Sequence, residues 1–505
     1  MKDQPEESET DETGWEPRVQ AVPSTWLLAE FRDAFAPVSV NQRKVPAKKY
    51  KATGSIPIVD QGQAFIGGYT DDETLGIDPG EGLIVFGDHT RVFKRVSFPF
   101  AAGADGIKVL RPVLCDSKYA YYACRSLQFP NRGYSRHYSF LTRCKLPIAP
   151  NNEQKRIVSK IDELFSRIDD GESALARVQG LVEHYRLSVL KAAVTGELTR
   201  EWREKNKGRL ESGEALLARV LKARREAWET AELEKMKAKG ITPANEKWKK
   251  KYEEPSSPNT TDLPQLPKTW IWASVEQLSG FVTSGSRGWA EYYAPEGALF
   301  LRVGNLQRLT TRFDLSKKQF VNAPNSAEGS RTRTKTNDLV ISITADVGMS
   351  GVISPELADS YVNQHLSLVR PVDESLGPWM AWAVASPVIQ SEIRALKQGA
   401  TKDGLTLDDV RAIQIPIPPY PEIAELVSRM ERMSDSGIRA AKEAHQEGRV
   451  AAALRQAILK SAFIGALTKQ DPADGPATQL LERVAAQSGT IEGAPKRGRK
   501  KESAA

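Results

Sequence analysis

From Ile157 onward, apolar positions recur at alternating spacings of four and three: Ile157, Ile161, Leu164, Ile168, Gly171, Leu175, Val178, Val182, Tyr185, Val189 and Ala192. That period is the seam of a coiled-coil helix. Pro150-Asn-Asn-Glu153 supplies its N-cap and Gly196 its stop. About 45 residues at roughly 1.5 Å each predict a rod of about 65 Å. A second seam runs through Leu426, Met430, Met433, Gly437, Ala440, Ala444, Glu447, Ala451, Leu454 and Ile458. Its small residues permit a close approach, and it is thin alone. The two helices are therefore expected to pack on each other, antiparallel if a pseudo-twofold axis relates the halves.

Away from these helices the pattern changes to short β-branched or aromatic runs between Gly-rich turns, as in Ile56–Val59, Leu83–Phe86, Leu339–Ile343 and Leu366–Val369. Helices are predicted at 119–127 and 378–396. The fold class is α+β: two globular, strand-rich domains separated and connected by two long antiparallel helices. The expected organisation is a disordered acidic start at 1–16, a first globular module at 17–148 and a first spacer helix at 149–199. A charged helical arm follows at 200–262, then a second module at 263–417, a second spacer helix at 418–470 and a tail at 471–505 with a short helix and a basic disordered end. The arm carries the stripe Leu217, Leu221, Trp228 and reads as either a solvated arm or a docking surface.

The chain is a duplication. Residues 146–199 realign on 415–468 at a constant offset of 269, pairing Pro147 with Pro416, Glu153 with Glu422, Arg186 with Arg455 and Gly196 with Gly465. Upstream the offset drifts: Pro23-Ser-Thr-Trp26 answers Pro267-Lys-Thr-Trp270 at 244, and Arg111-Pro112 answers Arg370-Pro371 at 259. Downstream, the LLARV of 216–220 is echoed by the LLERV of 480–484. A period this long means repeated domains rather than a solenoid. A variable module followed by one of fixed length, twice over, describes two readers held on two rulers.

Composition narrows the function. A net charge of +7 over 505 residues is compatible with a polyanionic partner. Three cysteines without a CxxC pair and five scattered histidines argue against structural disulfides or zinc, which fits a reducing cytosol. No apolar run reaches roughly 18 residues, and the start is acidic, so neither a membrane span nor an export signal is expected.

Motifs resembling catalytic ones fail on chemistry. Ile417-Pro-Pro-Tyr420 imitates an adenine-methyltransferase signature, but its first position must accept hydrogen bonds from the target amino group and Ile cannot. Phe100–Gly106 has the glycines of a methyl-donor loop without a following helix, and reads as a turn. Asp116-Ser-Lys118 is half of a nuclease signature and reads as a helix start. No GxxxxGK is present, which excludes a P-loop.

The module starts at Pro23 and Pro267, the run Ile415–Glu422, the matching Leu146–Val158 and the LKxAxxGxLT endings at 190–199 and 459–468 together resemble the specificity subunits of type I restriction-modification systems, the family called HsdS. The resemblance covers about 20–485 and lies in the duplicated order. It implies two target-recognition domains that each read half of a split site in double-stranded DNA, with two helices as spacer. It implies partner methyltransferase subunits, two of them, and restriction/translocase subunits. These would bind S-adenosylmethionine, ATP and Mg2+, with no cofactor on this chain, no catalysis by it and a cytoplasmic location. The second copy has Glu422-Ile423 where the family pattern and the first copy (Glu153-Gln154) have Glu-Gln, a departure that bears on a partner contact. The rival readings are a coiled-coil scaffold that binds protein and a self-sufficient methyltransferase or nuclease.

Base edges are read by Arg, Lys, Asn, Gln and His, and phosphates are neutralised by Arg and Lys. In the first reader the candidates are His89, Thr90 and Arg91 after a strand, with Arg132, Tyr134, Arg136 and His137. In the second they are Arg287, Arg302, Asn305, Lys397 and Lys402. A solvated polar loop is the alternative for each. The run Lys496–Lys501 resembles a minor-groove hook and reads as a solubilising tail.

Overall fold

The structure is a computed structural model that describes residues 15, 17, 21–40, 43–104, 106–133, 135–208, 211–398 and 404–489. The acidic start, Tyr134, Lys402 and the basic run at 496–501 lie outside them. The chain forms two compact units, one of residues 1–174 with 446–505, the other of residues 175–445. The long helices Asn151–Val194 and Tyr420–Phe463 are both 44 residues, and each begins in one unit and ends in the other.

In the first unit, an antiparallel sheet runs Phe35–Val38, Ile107–Pro112, Leu83–Gly87, Phe93–Val96. A second sheet runs Gly68–Thr70, Ile56–Val59, Phe100–Ala102, Gly76–Ile77, and its central pair is parallel. Leu27–Glu30 pairs with Lys145–Ile148 and closes the module onto its helix. Every residue of Leu83–Gly87 is buried, which explains its unbroken apolar run. The helix Ser117–Ser126 is capped by Asp116, whose carboxylate accepts the Lys118 and Tyr119 N–H groups, so Asp116-Ser-Lys118 is indeed a helix start.

The second unit repeats the order of the first of these sheets, while in its other sheet the parallel pair lies at an edge rather than at the centre. One sheet runs Ser279–Ser284, Leu366–Pro371, Leu339–Ser342, Ser350–Val352, and the other Tyr293–Ala294, Phe320–Val321, Ala298–Leu301, Tyr361–Val362. The parallel pair recurs as Ala298–Leu301 with Tyr361–Val362, and the closing pair as Ile271–Ser274 with Gln414–Ile417. The helix expected at 378–396 is two helices, Gly377–Ala385 and Pro387–Gln398. Pro387 is the cause: it forces the preceding Ser386 to an extended ψ of 150° and ends the first helix there.

Within each unit the two long helices run antiparallel. In the first, Arg455 pairs with Asp169 and Glu172 while Gln470 reaches Glu153; in the second, Arg186 lies against Gly437 while Thr199 reaches Glu422. The large seam side chains are buried only toward the rod ends, although the small Gly437 and Ala444 at the middle of the second helix are buried too. Ile157 and Ile161 join the first core, and Leu190, Ala193, Val194, Leu426 and Met430 the second. Leu164, Ile168, Leu175, Val182 and Met433 are half-buried, and Ile458 is buried. Val178, Leu181 and Tyr185 are 54%, 67% and 65% exposed, and Leu454 is 47% exposed. The continuous buried seam expected from the spacing is therefore corrected. Long side chains at the rod ends meet module cores, whereas Ala, Gly and Glu at the middle positions of the second helix offer too little apolar surface to cover them.

Each helix start is locked by a buried glutamate. Glu153 accepts hydrogen bonds from Trp26 Nε1 at 2.8 Å, Thr468 Oγ1 at 3.4 Å and Gln470 Nε2. Glu422 accepts from Trp270 Nε1 at 3.0 Å, Thr199 Oγ1 at 2.7 Å and the Arg203 guanidinium. Gly465 and Gly196, at φ +76° and +74°, let the opposite helix end turn against Pro23 and Pro267. The adjacent Gln154 and Ile423 are both buried, Gln154 donating to the Ala149 carbonyl at 2.8 Å. The Gln-to-Ile departure is thus an internal packing difference, not an altered partner surface.

The arm helix Gly213–Ala238 docks in its own unit, burying Leu216, Leu217 and Val220 beside Trp270 and Ile417. A Cβ on Gly213 would stand 2.1 Å from the Ile417 carbonyl oxygen. The echo in the first unit is direct: Gly213 N–H donates to Thr269 O at 2.7 Å, and Ala477 N–H to Thr25 O at 2.8 Å.

Candidate nucleic-acid interface

Four loops of the first unit converge at one end of its sheets: Asp60–Gly62, Asp88–Val92, Gly103–Gly106 and the segment from Phe129 to His137. The tie is Asp88. Its N–H donates to Gly106 O at 2.6 Å, and its carbonyl accepts the His137 N–H at 3.0 Å and faces His137 Nδ1 at 2.9 Å. Its carboxylate takes the N–H groups of His137 and Tyr138 at 2.8 and 2.7 Å. Arg132 N–H donates to His137 Nε2 at 3.2 Å, which leaves Nδ1 as the protonated nitrogen. Thr90 Oγ1 donates to Gln61 O at 2.6 Å. Buried Lys94 holds the adjoining loop through Asp60 O at 2.8 Å and Ala64 O at 2.5 Å, and burial pushes its pKa down.

The ring thus brings together His89, Thr90, Arg91, Arg132, Arg136 and His137, with different fates. Arg132 and Arg136 are exposed on the rim. Arg91, at φ +59°, turns its guanidinium over the Phe129 ring at 5.9 Å. Thr90 is occupied in fixing Gln61. His137 is fully buried with both ring nitrogens engaged, so its reading as a base contact is corrected: it holds the loops together. The candidates chosen from the sequence did not include Gln61, Gln63 or the exposed Phe65.

The second unit builds the same ring from other residues. Ile343 N–H donates to His365 O at 2.9 Å, Leu405 N–H to Ile343 O at 2.8 Å and Asn363 N–H to Leu301 O at 3.1 Å. These match the bonds of Asp88 to Gly106, His137 to Asp88 and Gly103 to Val59 in the first unit. The buried pair Asp88 and His137 is replaced by Ile343 and Leu405, both buried. Arg302 is half-buried beside this ring. Asn305 is buried, its Oδ1 accepting Arg302 N–H at 2.9 Å and its Nδ2 donating to Asp314 O and Lys317 O at 2.8 and 3.3 Å. It shapes its loop and is corrected as a base contact. Arg287 is exposed, on a loop that Gly285 allows to lie against the Asn363 backbone. Lys397 belongs to the helix Pro387–Gln398, and its side chain is outside the description. Sequence reasoning missed Thr344, Gln364 and His365, which only strand order places here.

The resemblances to catalytic motifs are structural. Ile417 is buried in the closing strand, and Pro416 O accepts Trp379 Nε1–H at 2.7 Å. Gly106, at φ +86°, lets its turn approach Gln61 and His89. Cys124 and Cys144 are buried thiols, and burial raises Cys144 to about 11, unsuited to nucleophilic chemistry. Among the described residues no group of three or more His, Cys, Asp or Glu could hold a metal ion, and no helix is long and apolar enough to cross a membrane.

No protein-family model matches the chain. The specificity subunit of the Escherichia coli type I restriction enzyme EcoBI is 24% identical over 366 residues, 70% of this chain and 67% of that protein. That of Escherichia coli EcoDI is 21% identical over 415 residues, 78% of this chain and 81% of that protein. Over most of its length the chain is thus similar to type I restriction specificity subunits. A chain solved in work on the assembly and conformational transition of the type I R-M system has the same fold, with a TM-score of 0.57 at 15% identity, covering 88% of this chain and 99% of that one. The duplicated rings are therefore the places where sequence discrimination is to be sought.

Proposed function

We propose that each unit reads one half of a bipartite duplex DNA target through its loop ring, and that the two equal helices set the spacer between the halves. The supporting observation is that both rings share their main-chain hydrogen bonds and differ in the side chains they present. A common frame with different contents is what two readers of different sequences need. The chemistry belongs to partner subunits: methyltransferases carrying S-adenosylmethionine, and a restriction/translocase subunit using ATP and Mg2+. The open apolar side chains Val178, Leu181 and Tyr185 favour assembly with such partners over an isolated chain.

The test is reconstitution. Purified chain with methyl donor should leave DNA unmodified, and addition of the methyltransferase subunits should produce adenine methylation at one split motif. Long-read mapping in a host with and without the chain reads that motif. Methylation by the chain alone, or methylation with no motif, would overturn the proposal.

A further inference from the structure

In the second ring, Asn363-Gln364-His365-Leu366 is a tight turn. Leu366 N–H donates back to Asn363 O at 3.1 Å, and Asn363 Oδ1 accepts the His365 N–H at 3.1 Å. Gln364 therefore stands at the tip, half-exposed, on a backbone held from both sides. Its Nε2 donates to His365 Nε2 at 3.0 Å. A ring nitrogen that accepts is unprotonated, so the proton resides on Nδ1, which meets Thr344 Oγ1 on the neighbouring hairpin. The chain of Gln364, His365 and Thr344 fixes the amide plane. One N–H is spent internally, leaving the other N–H and Oε1 for an outside partner.

We infer that Gln364 is an adenine-reading side chain of the second unit, with His365 and Thr344 as its positioning residues; the inference rests on the DNA-reading function proposed above. Adenine offers, in the major groove, an N6 amino donor beside an N7 acceptor, and a glutamine amide answers both at once through Oε1 and Nε2–H. Guanine offers two acceptors there and would leave Oε1 facing a lone pair. A flexible glutamine could adjust, but one tethered to His365 cannot turn over without losing its bond, so the tether converts a polar contact into discrimination. Among the described residues of the matching turn in the first ring, Gly103, Ala104 and Gly106 after Phe100–Ala102, none carries a polar side chain. The effect therefore belongs to one half-site.

The experiment uses the full chain with its methyltransferase subunits, first mapping the wild-type motif by long-read sequencing. Duplexes bearing that motif, and single base-pair changes of it, are then the competitors in binding. Gln364→Ala should lower discrimination roughly 5- to 150-fold at one adenine of one half-site and nowhere else. Gln364→Glu, which can only accept, should move that position toward cytosine, whose N4 amino group donates. Thr344→Val, which removes the acceptor for Nδ1–H, should relax the same position, and the conservative Thr344→Ser should restore it. An unchanged motif in the Gln364 variants overturns the inference while leaving the function intact. So does a uniform loss of affinity across all competitors, which would place Gln364 on a phosphate or in the fold. A wild-type chain that directs no motif at all overturns the reading of function itself.

Discussion

Replacing Glu422 by Gln tests how much one buried charge holds the start of the second long helix. The carboxylate is fully buried and faces three donors: Trp270 Nε1–H, Thr199 Oγ1–H and the Arg203 guanidinium, whose side chain is only 13% exposed. An amide of the same shape keeps one acceptor oxygen but turns an NH2 toward groups that are all donors, and leaves Arg203 without an anion. Stranding one member of a buried ion pair costs about 3 to 5 kcal/mol. The surviving oxygen still accepts one bond, so the lower end, about 3 kcal/mol, is expected. For a unit of this size that lowers Tm by about 6 to 12 °C. Glu153→Gln is the internal control, because Trp26, Thr468 and Gln470 are neutral donors and no cation is stranded. Weakening charge-assisted bonds alone should cost about 1.5 kcal/mol. Adding Arg203→Met to Glu422→Gln should recover part of the loss, since an apolar side chain needs no counter-charge. Calorimetry of the full chain, with hydrogen exchange to assign each transition to its unit, reads all three. Equal losses for the two Gln variants, or no recovery in the double variant, would refute the claim that the ion pair sets the difference.

His137→Ala should behave as a core defect rather than a specificity change. It removes a buried ring that bonds Asp88 O and Arg132 N–H, costing about 2 to 4 kcal/mol with the DNA motif unchanged in the surviving protein; a relaxed base in the motif would contradict this. Glu392, on the helix Pro387–Gln398, is pushed by burial from 4.5 up to about 7. A carboxyl raised on folding binds its proton more tightly in the native state, so its contribution to stability falls as pH rises from about 4.5 to 7. Glu392→Gln should therefore leave the unfolding free energy unchanged at pH 4 and raise it at pH 8 by about 3 kcal/mol, and melting curves across that range check the sign. Four residues inserted after Arg177 add about 6 Å and nearly preserve the helix face, so the DNA spacer should lengthen by one or two base pairs with both half-sites retained. Two inserted residues rotate the face by about 200° and should abolish activity; an active four-residue variant with the original spacer would exclude the helices as the ruler.

The rods were legible because their evidence is local. Spacings of three and four, an Asn-Asn-Glu start and a Gly stop act within a few residues, and the helix Asn151–Val194 ends just before Gly196 as expected. What lay on the far side of each seam was not local. Val178 and Tyr185 have the spacing of core residues yet are exposed, because periodicity reports a face and not what covers it. The break at Pro387 is local as well, because a proline acts on the residue before it whatever the hydrophobicity around it. The glutamate anchors appeared as the repeated pair Glu153 and Glu422, but their indole donors stand 127 and 152 residues away, and only the closing strands bring them together.

The rings were legible in position and mostly not in residue. Selecting polar side chains by type led to the loops around Asp88 and Arg302 that the two rings are built from, yet it also chose His137 and Asn305, whose polarity is consumed inside the ring. Residue identity could not have separated them, because the equivalent of the buried Asp88 and His137 is the buried pair Ile343 and Leu405, at offsets of 255 and 268. What persists between the rings is main chain: the same three backbone hydrogen bonds, the same parallel strand pair feeding them, and a left-handed residue in each hairpin, Arg91 and Ala345. A ring held by backbone can exchange almost every side chain without altering its shape. The anchors are held instead by side chains around a single carboxylate, and there the tryptophan, the glutamate and the threonine stand in both copies. A reader that must change its sequence preference while keeping its place on a fixed spacer requires this separation of variable contents from a constant mount.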